Sequence, residues 1–234
     1  MISSAESGSL LATAAQGLPS GLHAAELPIP GLMSESPALR RPTTAIDHGE
    51  PLSQVAGDGI ALLHSYARSG WRHAVGRQWL RADALVRLRR AAAALPEGFG
   101  VAVFDAWRPL ALQRELFDAI SMDGSAGTDF VAPPSENPAA PPPHLTGGAV
   151  DLTLTWQGVP LALGTAFDEF SHLAAARAFE HVAGPVRTLR RLLYHTLRRQ
   201  GFVVLAEEWW HFEFGTRLWS ALTGRPPRYG PAAP

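Results

Sequence analysis

The sequence predicts an α+β fold: a small antiparallel sheet with flanking helices. Three observations carry that expectation. Apolar residues recur at helical spacing over 82–95. A continuous apolar run, Gly-Val-Ala-Val-Phe-Asp, reads as a buried strand over 100–105. Two strand-like runs, 202–205 and 209–214, are spaced as a hairpin.

The elements follow in order. Residues 1–45 are rich in Ser, Ala, Gly and Pro without sustained periodicity, so they read as an N-terminal extension, partly mobile or draped over the domain. The folded domain is expected over 46–234. In the helix at 82–95, Leu85, Leu88 and Ala92 share one face, and Pro96 and Gly98 end it. After the strand at 100–105, Pro109 opens a second helix through about Ile120, at the position where proline is favoured. Residues 122–143 form a long Pro-, Gly- and Ser-rich loop, of a length usually reserved for function or mobility. Residues 149–154 read as a strand, and 171–200 as a helix broken near Gly184-Pro185. The hairpin closes the domain.

Composition narrows the chemistry. The chain has 234 residues, enough for one domain with a sizeable core plus an extension. Hydrophobic residues at 46% against 18% charged mark a globular chain. The net charge of -1 leaves no basic surplus for a phosphate backbone, which argues against nucleic acid as a partner. Lysine is absent, which excludes Schiff-base chemistry. Cysteine is absent too, so disulfides and thiolates are excluded and any metal must be held by His, Asp or Glu. The first residues show no basic n-region and no long apolar h-region. No apolar run approaches the roughly 20 residues of a membrane span. A cytoplasmic protein without a membrane partner is the expectation.

Three segments concentrate reactive side chains. In Pro-Pro-His-Leu-Thr-Gly-Gly-Ala-Val-Asp (142–151), His144 ends a loop, Gly147-Gly148 turn the chain tightly, and Asp151 enters a strand. Glu-Glu-Trp-Trp-His-Phe (207–212) carries Glu208 and His211, and Phe-Asp-Ala-Trp-Arg-Pro (104–109) carries Arg108. Two imidazoles and a carboxylate make a three-ligand set that leaves a position for water. Zinc in such a site lowers the pKa of that water to about 7. Glu208, three residues before His211, is close enough to move the proton. The plainer readings stand beside this one. Most histidines are structural, Trp209 and Trp210 suit a core, and Arg108 suits a salt bridge with Asp105. Geometry raises a further difficulty, because on a regular strand residues three apart face opposite sides. Glu208 and His211 meet only if the backbone bends between them.

Together these segments resemble the D-alanyl-D-alanine dipeptidases (the VanX type) within the zinc D-Ala-D-Ala peptidases. His144, Gly147, Ala149 and Asp151 match the family signature Ser-x-His-x-x-Gly-x-Ala-x-Asp. Glu208-Trp209-Trp210-His211 matches its Glu-x-x-His, Arg108-Pro109 its arginine-proline pair, and Gly164-Thr165-Ala166-Phe167-Asp168 its Gly-x-x-Phe-Asp. Ser65-Tyr66-Ala67 and Trp79-Leu80-Arg81 are also similar, so the resemblance spans about 46–230. It implies a hedgehog-like fold and one zinc ion on His144, Asp151 and His211. It also implies Glu208 as general base and then acid, Arg108 at the oxyanion, and Asp168 on the ammonium of a small dipeptide. Taken alone, Asp168 reads as a solvated loop or cap carboxylate. One departure stands out: Pro142 replaces the signature serine and Pro143 follows, and since proline has neither a hydroxyl nor a backbone N–H, two possible donors near the substrate are missing.

Rival readings remain at this point. A D,D-carboxypeptidase or other cell-wall peptidase of the same superfamily shares the metal set. A non-haem iron oxygenase also uses two His and a carboxylate, but there the first His and the carboxylate lie two apart, not seven. A degenerate, metal-binding non-enzyme is the third, and Glu208 argues against it.

Overall fold

Two long neighbouring strands, β4 (Phe99–Asp105) and β5 (Ala149–Trp156), carry the architecture. Their apolar positions Val101, Val103, Val150, Leu152 and Leu154 are fully buried, and so are Thr153 and Thr155 on the alternate face of β5. Strands covered on both faces belong at the middle of a sheet. The computed structural model describes residues 27–34, 47, 49–123 and 131–234. Most of the expected extension, the expected domain start at Ile46, and residues 124–130 of the expected long loop lie outside the described residues.

The main sheet runs β2 (Ile60–Leu62), β4, β5, β8 (His211–Glu213), β7 (Val203–Val204), with β6 (Val159–Pro160) against the far end of β5. β1 (Leu52–Gln54) and β3 (Trp79–Arg81) form a separate antiparallel pair. The expected all-antiparallel sheet is therefore corrected to a mixed one, because β2 pairs β4 in parallel. A parallel pair needs a long crossover, and helix α2 (Ala82–Ala93) lies within it.

Helix α2 buries Ala84, Leu85, Leu88 and Ala91. Helix α4 (Pro185–Arg199), with proline in its first turn, buries Leu189, Leu192, Leu193 and Leu197. The two helices pack on each other and on the central strands. Helix α1 (Ser65–Arg68) carries Tyr66, and α3 (Leu110–Asp123) follows the Arg108-Pro109 turn. Helix α5 (Arg217–Thr223) is capped by the Thr216 hydroxyl, which accepts from Trp219 N at 3.2 Å.

Two expected elements are shorter than their sequences suggest. Of the helix expected over 171–200 only α4 forms, preceded by a 3-10 turn (His172–Ala174). The carbonyls that would continue a helix are taken by tertiary donors. Trp209 N donates to Ala174 O, and the Arg190 guanidinium donates to Leu173 O and Ala175 O. Helix propensity is a weak prior that such contacts override. The strand expected over 209–214 is paired only at 211–213, because a turn precedes it in which His211 N donates to Glu208 O.

Both ends of the described chain lie against the domain. Ile29 is buried; its N–H donates to Glu180 Oε1 and its carbonyl accepts from Arg177 Nε. Near the other end, Ala232 N donates to Leu145 O at 3.0 Å and Ala232 O accepts from Trp107 Nε1 at 2.8 Å. Arg81 adds bonds to Gly230 O and Thr146 O. Among the described residues no helix is long and apolar enough to cross a membrane.

Candidate metal centre

The sheet register sets the site. Asp105 on β4 faces Asp151 on β5, which faces His211 on β8, so three polar residues line up across three adjacent strands. The row depends on a bulge. Val103 pairs Leu152 while Asp105 pairs Asp151, so the extra residue Phe104 shifts Asp105 into line. His144 arrives from above the row on a 3-10 turn (His144–Thr146) that follows Pro141-Pro142-Pro143. Gly147 closes the turn at φ 70°, where an added Cβ would come within 2.3 Å of Leu52 Cδ2. At Gly148 a Cβ would meet the Phe214 carbonyl at 2.5 Å. Only glycine lets this loop descend onto β8.

His144, Asp151 and His211 thereby converge, each buried, with one ligand atom apiece inside a 4.8 Å cluster. His144 Nε2 lies 3.2 Å from Asp151 Oδ2 and 3.3 Å from His211 Nδ1, and His211 Nδ1 lies 2.8 Å from Asp151 Oδ1. A tetrahedral ion with bonds near 2.0–2.1 Å separates its ligands by about 3.3 Å, so the 3.2 and 3.3 Å separations suit an ion of that kind, while His211 and Asp151 at 2.8 Å stand at hydrogen-bond distance. The outward ring atoms are also committed. His144 Nδ1 donates to Ala106 O at 2.6 Å, and His211 Nε2 donates to Glu213 Oε1 at 2.9 Å. Each imidazole is thus fixed with its other nitrogen facing the cluster, the orientation a ligating histidine needs. Burial would raise the Asp151 carboxyl, but the two imidazoles hold it far below the ordinary carboxylate range. Burial alone would lower His211, yet its bonds to Asp151 and Glu213 outweigh that and push it up to about 10.

Glu208 sits on the same side as His211, its Oε2 3.9 Å from His211 Nδ1. The turn before β8 supplies the bend that a regular strand lacks. Burial pushes the Glu208 carboxyl up to about 8; His211 opposes this, and the negative charges of Asp151 and Asp168 add to it.

Arg108 lies beside the cluster and is buried. Its Nε donates to Asp105 Oδ2 at 2.8 Å, so the salt bridge anticipated with Asp105 is present. The same guanidinium donates to Gln113 Oε1 at 2.9 Å, to the Tyr66 hydroxyl at 3.2 Å and to Asp151 Oδ2 at 3.4 Å. Tyr66 in turn donates to Asp168 Oδ2 at 2.8 Å. A short chain of contacts therefore runs from Asp168 through Tyr66 and Arg108 to Asp151. Asp168 is half-buried at φ 59°, an uncommon conformation for a residue with a side chain and one that tends to mark functional loops. Burial pushes its carboxyl up to about 7, and the Asp151 charge adds to this against the pull of Arg108.

Pro142 and Pro143 are both buried next to His144. Trp209 and Trp210 are buried as well, Trp209 donating from Nε1 to Thr165 Oγ1 at 2.8 Å.

Sequence reasoning passed over Glu213 and Gln113. Glu213 had a signal, since residues two apart on a strand share a face and it follows His211 by two. Gln113 had none, because its role arises from where α3 folds back.

Comparison with known proteins bears on this arrangement. A family model described as D-ala-D-ala dipeptidase (peptidase M15) matches residues 48–223. The D-alanyl-D-alanine dipeptidase of Synechocystis sp. is 30% identical over 211 residues, covering 74% of this chain and 85% of its own. The protein of that name from Escherichia coli (strain K12) is 30% identical over 142 residues, covering 57% and 65%.

Proposed function

The chain belongs to the D-ala-D-ala dipeptidase family of peptidases, and from that premise we propose that it hydrolyses D-alanyl-D-alanine to free D-alanine with one zinc ion held by His144, Asp151 and His211. The observation that carries the proposal is the convergence of those three buried ligands with Glu208 beside them. When bound, zinc polarises the scissile carbonyl and acidifies water to a pKa of about 7.

The remaining work falls to side chains. Glu208 takes a proton from the attacking water and returns it to the leaving amine. A carboxylate beside the proposed metal position is suited to both transfers, and its Oε2 lying 3.9 Å from His211 Nδ1 supports this role. Arg108 stabilises the oxyanion that forms at the carbonyl, its Nη2 exchanging the long contact to Asp151 for the oxyanion. Its remaining donors, held by Asp105 and Gln113, keep the guanidinium from turning away. Asp168 receives the substrate ammonium, with the Tyr66 hydroxyl bound to the same carboxylate. The contacts that link Asp168 through Tyr66 and Arg108 to Asp151 favour a substrate whose amino end lies close to the scissile bond, as in a free dipeptide. With proline at 142 and 143, recognition rests on Asp168, Tyr66 and Arg108 rather than on donors from that loop.

Two finer assignments accompany the proposal. The mixed sheet with α2 and α4 packed on it supports reading the architecture as the hedgehog-like fold of the zinc D-Ala-D-Ala peptidases. A cysteine-free chain is compatible with work in the cytoplasm on a small soluble dipeptide, without a nucleic-acid or membrane partner.

The test is metal analysis combined with a panel of dipeptides. The purified protein should carry one zinc per chain and release two D-alanines per D-Ala-D-Ala. It should stop on chelation and recover with zinc. Full zinc occupancy with no turnover of D,D- or L,D-dipeptides would refute the proposal.

A further inference from the structure

The loop that carries Asp168 is held by a side chain the proposed chemistry does not use. Arg190, on the inner face of α4, is buried. It donates from Nε to Leu163 O at 2.7 Å, from Nη1 to Ala175 O at 2.6 Å and from Nη2 to Leu173 O at 2.8 Å. Leu163 stands before the Asp168 loop; Leu173 and Ala175 stand after it. One planar guanidinium, with donors fixed in a fork, therefore closes residues 164–172 at both ends.

A second tie links that loop to the turn bearing Glu208. Trp209 donates from its backbone N to Ala174 O at 2.9 Å and from Nε1 to Thr165 Oγ1 at 2.8 Å. Arg190 lies over the Trp209 ring at 5.6 Å. Within the loop, Phe167 stacks on Phe104 at 4.5 Å and meets Trp210 at 5.7 Å. Asp168 follows Phe167 directly, in a left-handed conformation that persists only where its surroundings over-determine it.

We propose that Arg190 is a positioning residue for substrate recognition. By pinning both ends of the 164–172 loop it holds Asp168 at a fixed distance from Glu208 and the metal ligands, and so sets the preference for substrates with a free amino terminus. The inference rests on the reading of Asp168 as the partner of the ammonium. Lysine cannot substitute, because a single ammonium does not span carbonyls on both sides of the loop.

The experiment compares kcat and KM for D-Ala-D-Ala and N-acetyl-D-Ala-D-Ala in the zinc-loaded full chain, as wild type, Arg190→Lys, Thr165→Val and Asp168→Asn. Arg190→Lys should raise KM for the free dipeptide about ten- to a hundred-fold, the scale a misplaced positioning group produces. It should leave kcat and zinc content near wild type and narrow the discrimination between free and acetylated substrate. Thr165→Val removes the separate Trp209 tie and should shift both readouts in the same direction by less; if Arg190→Lys does not fold, Arg190→Gln, which keeps only part of the fork, carries the test. Unchanged discrimination in Arg190→Lys, or a proportional loss on both substrates, overturns the proposal. A wild type indifferent to acetylation overturns the Asp168 reading and the proposal with it. Discrimination abolished by Asp168→Asn but spared by Arg190→Lys and Thr165→Val overturns the proposal alone.

Discussion

Replacing Glu213 by Gln perturbs the proposed metal centre without touching any of its three proposed ligands. Glu213 is 1% exposed and accepts from His211 Nε2 at 2.9 Å. Because His211 turns Nδ1 toward Asp151 and His144, its Nε2–H must point at Glu213. The carboxylate therefore selects the tautomer and makes the ring a stronger donor. Gln preserves volume and an acceptor oxygen but removes the charge. A hydrogen bond to a charged group contributes about 1.5–3 kcal/mol. Outer partners of ligating histidines are worth about 10–100-fold in metal affinity, which is about 1.4–2.7 kcal/mol, so the two routes agree.

A smaller effect opposes the first. Glu213 also strengthens the hold of the proton on His211, whose pKa stands at about 10 in the metal-free protein. Metal binding must displace that proton, and Glu213→Gln makes the displacement easier. The loss of affinity should therefore be greater at about pH 8.5, where protons compete less, than at about pH 6.5. Competition titration of the metal-free protein against a chromophoric zinc chelator at both pH values measures it. Unchanged affinity at both, or a greater loss at the lower pH, refutes the reasoning.

Other expectations can be checked alongside. Glu208→Gln should keep zinc, measured as metal content, while turnover of D-Ala-D-Ala falls by about 10²–10⁴. Gly148→Ala drives a methyl against the Phe214 carbonyl and should cost about 1–3 kcal/mol, read as a lower urea midpoint. In the metal-free protein, Asp168 and Glu208 are raised to about 7 and 8, so their contribution to stability is present below the ordinary carboxylate range and is lost as pH rises through those values. His211, raised to about 10, contributes fully below about 6.5 and loses that contribution by about 10. The metal-free melting temperature should therefore fall from about pH 5 to 10, and zinc should raise it more at pH 8 than at pH 6. A flat profile would contradict these assignments.

The parts of the fold legible in the sequence are those fixed by local pattern. The apolar run of β4, the stripe of α2, Pro109 ahead of α3 and Gly147-Gly148 before β5 each announce themselves within a few residues. His144 and Asp151 were readable as a pair because two glycines force the turn between them. The strands β1, β2 and β3 have three residues each and exist only through distant partners, so no local signal marks them. Residues 171–184 look helical, yet Arg190 and Trp209 take the carbonyls a helix would need. The meeting of Glu208 with His211 was hidden for the same kind of reason. It depends on a turn stabilised by its neighbours rather than on a pattern in its own residues.

The segment around Ala232 has a consequence in time as well as in space. It joins the turn bearing Arg108 to the turn bearing His144, through Trp107 and Leu145. Glu208, His211 and this segment all follow β5 in the chain, so a chain synthesised only through β5 carries His144 and Asp151 but none of these three. On the proposed reading, assembly of the site waits on the chain that follows β5.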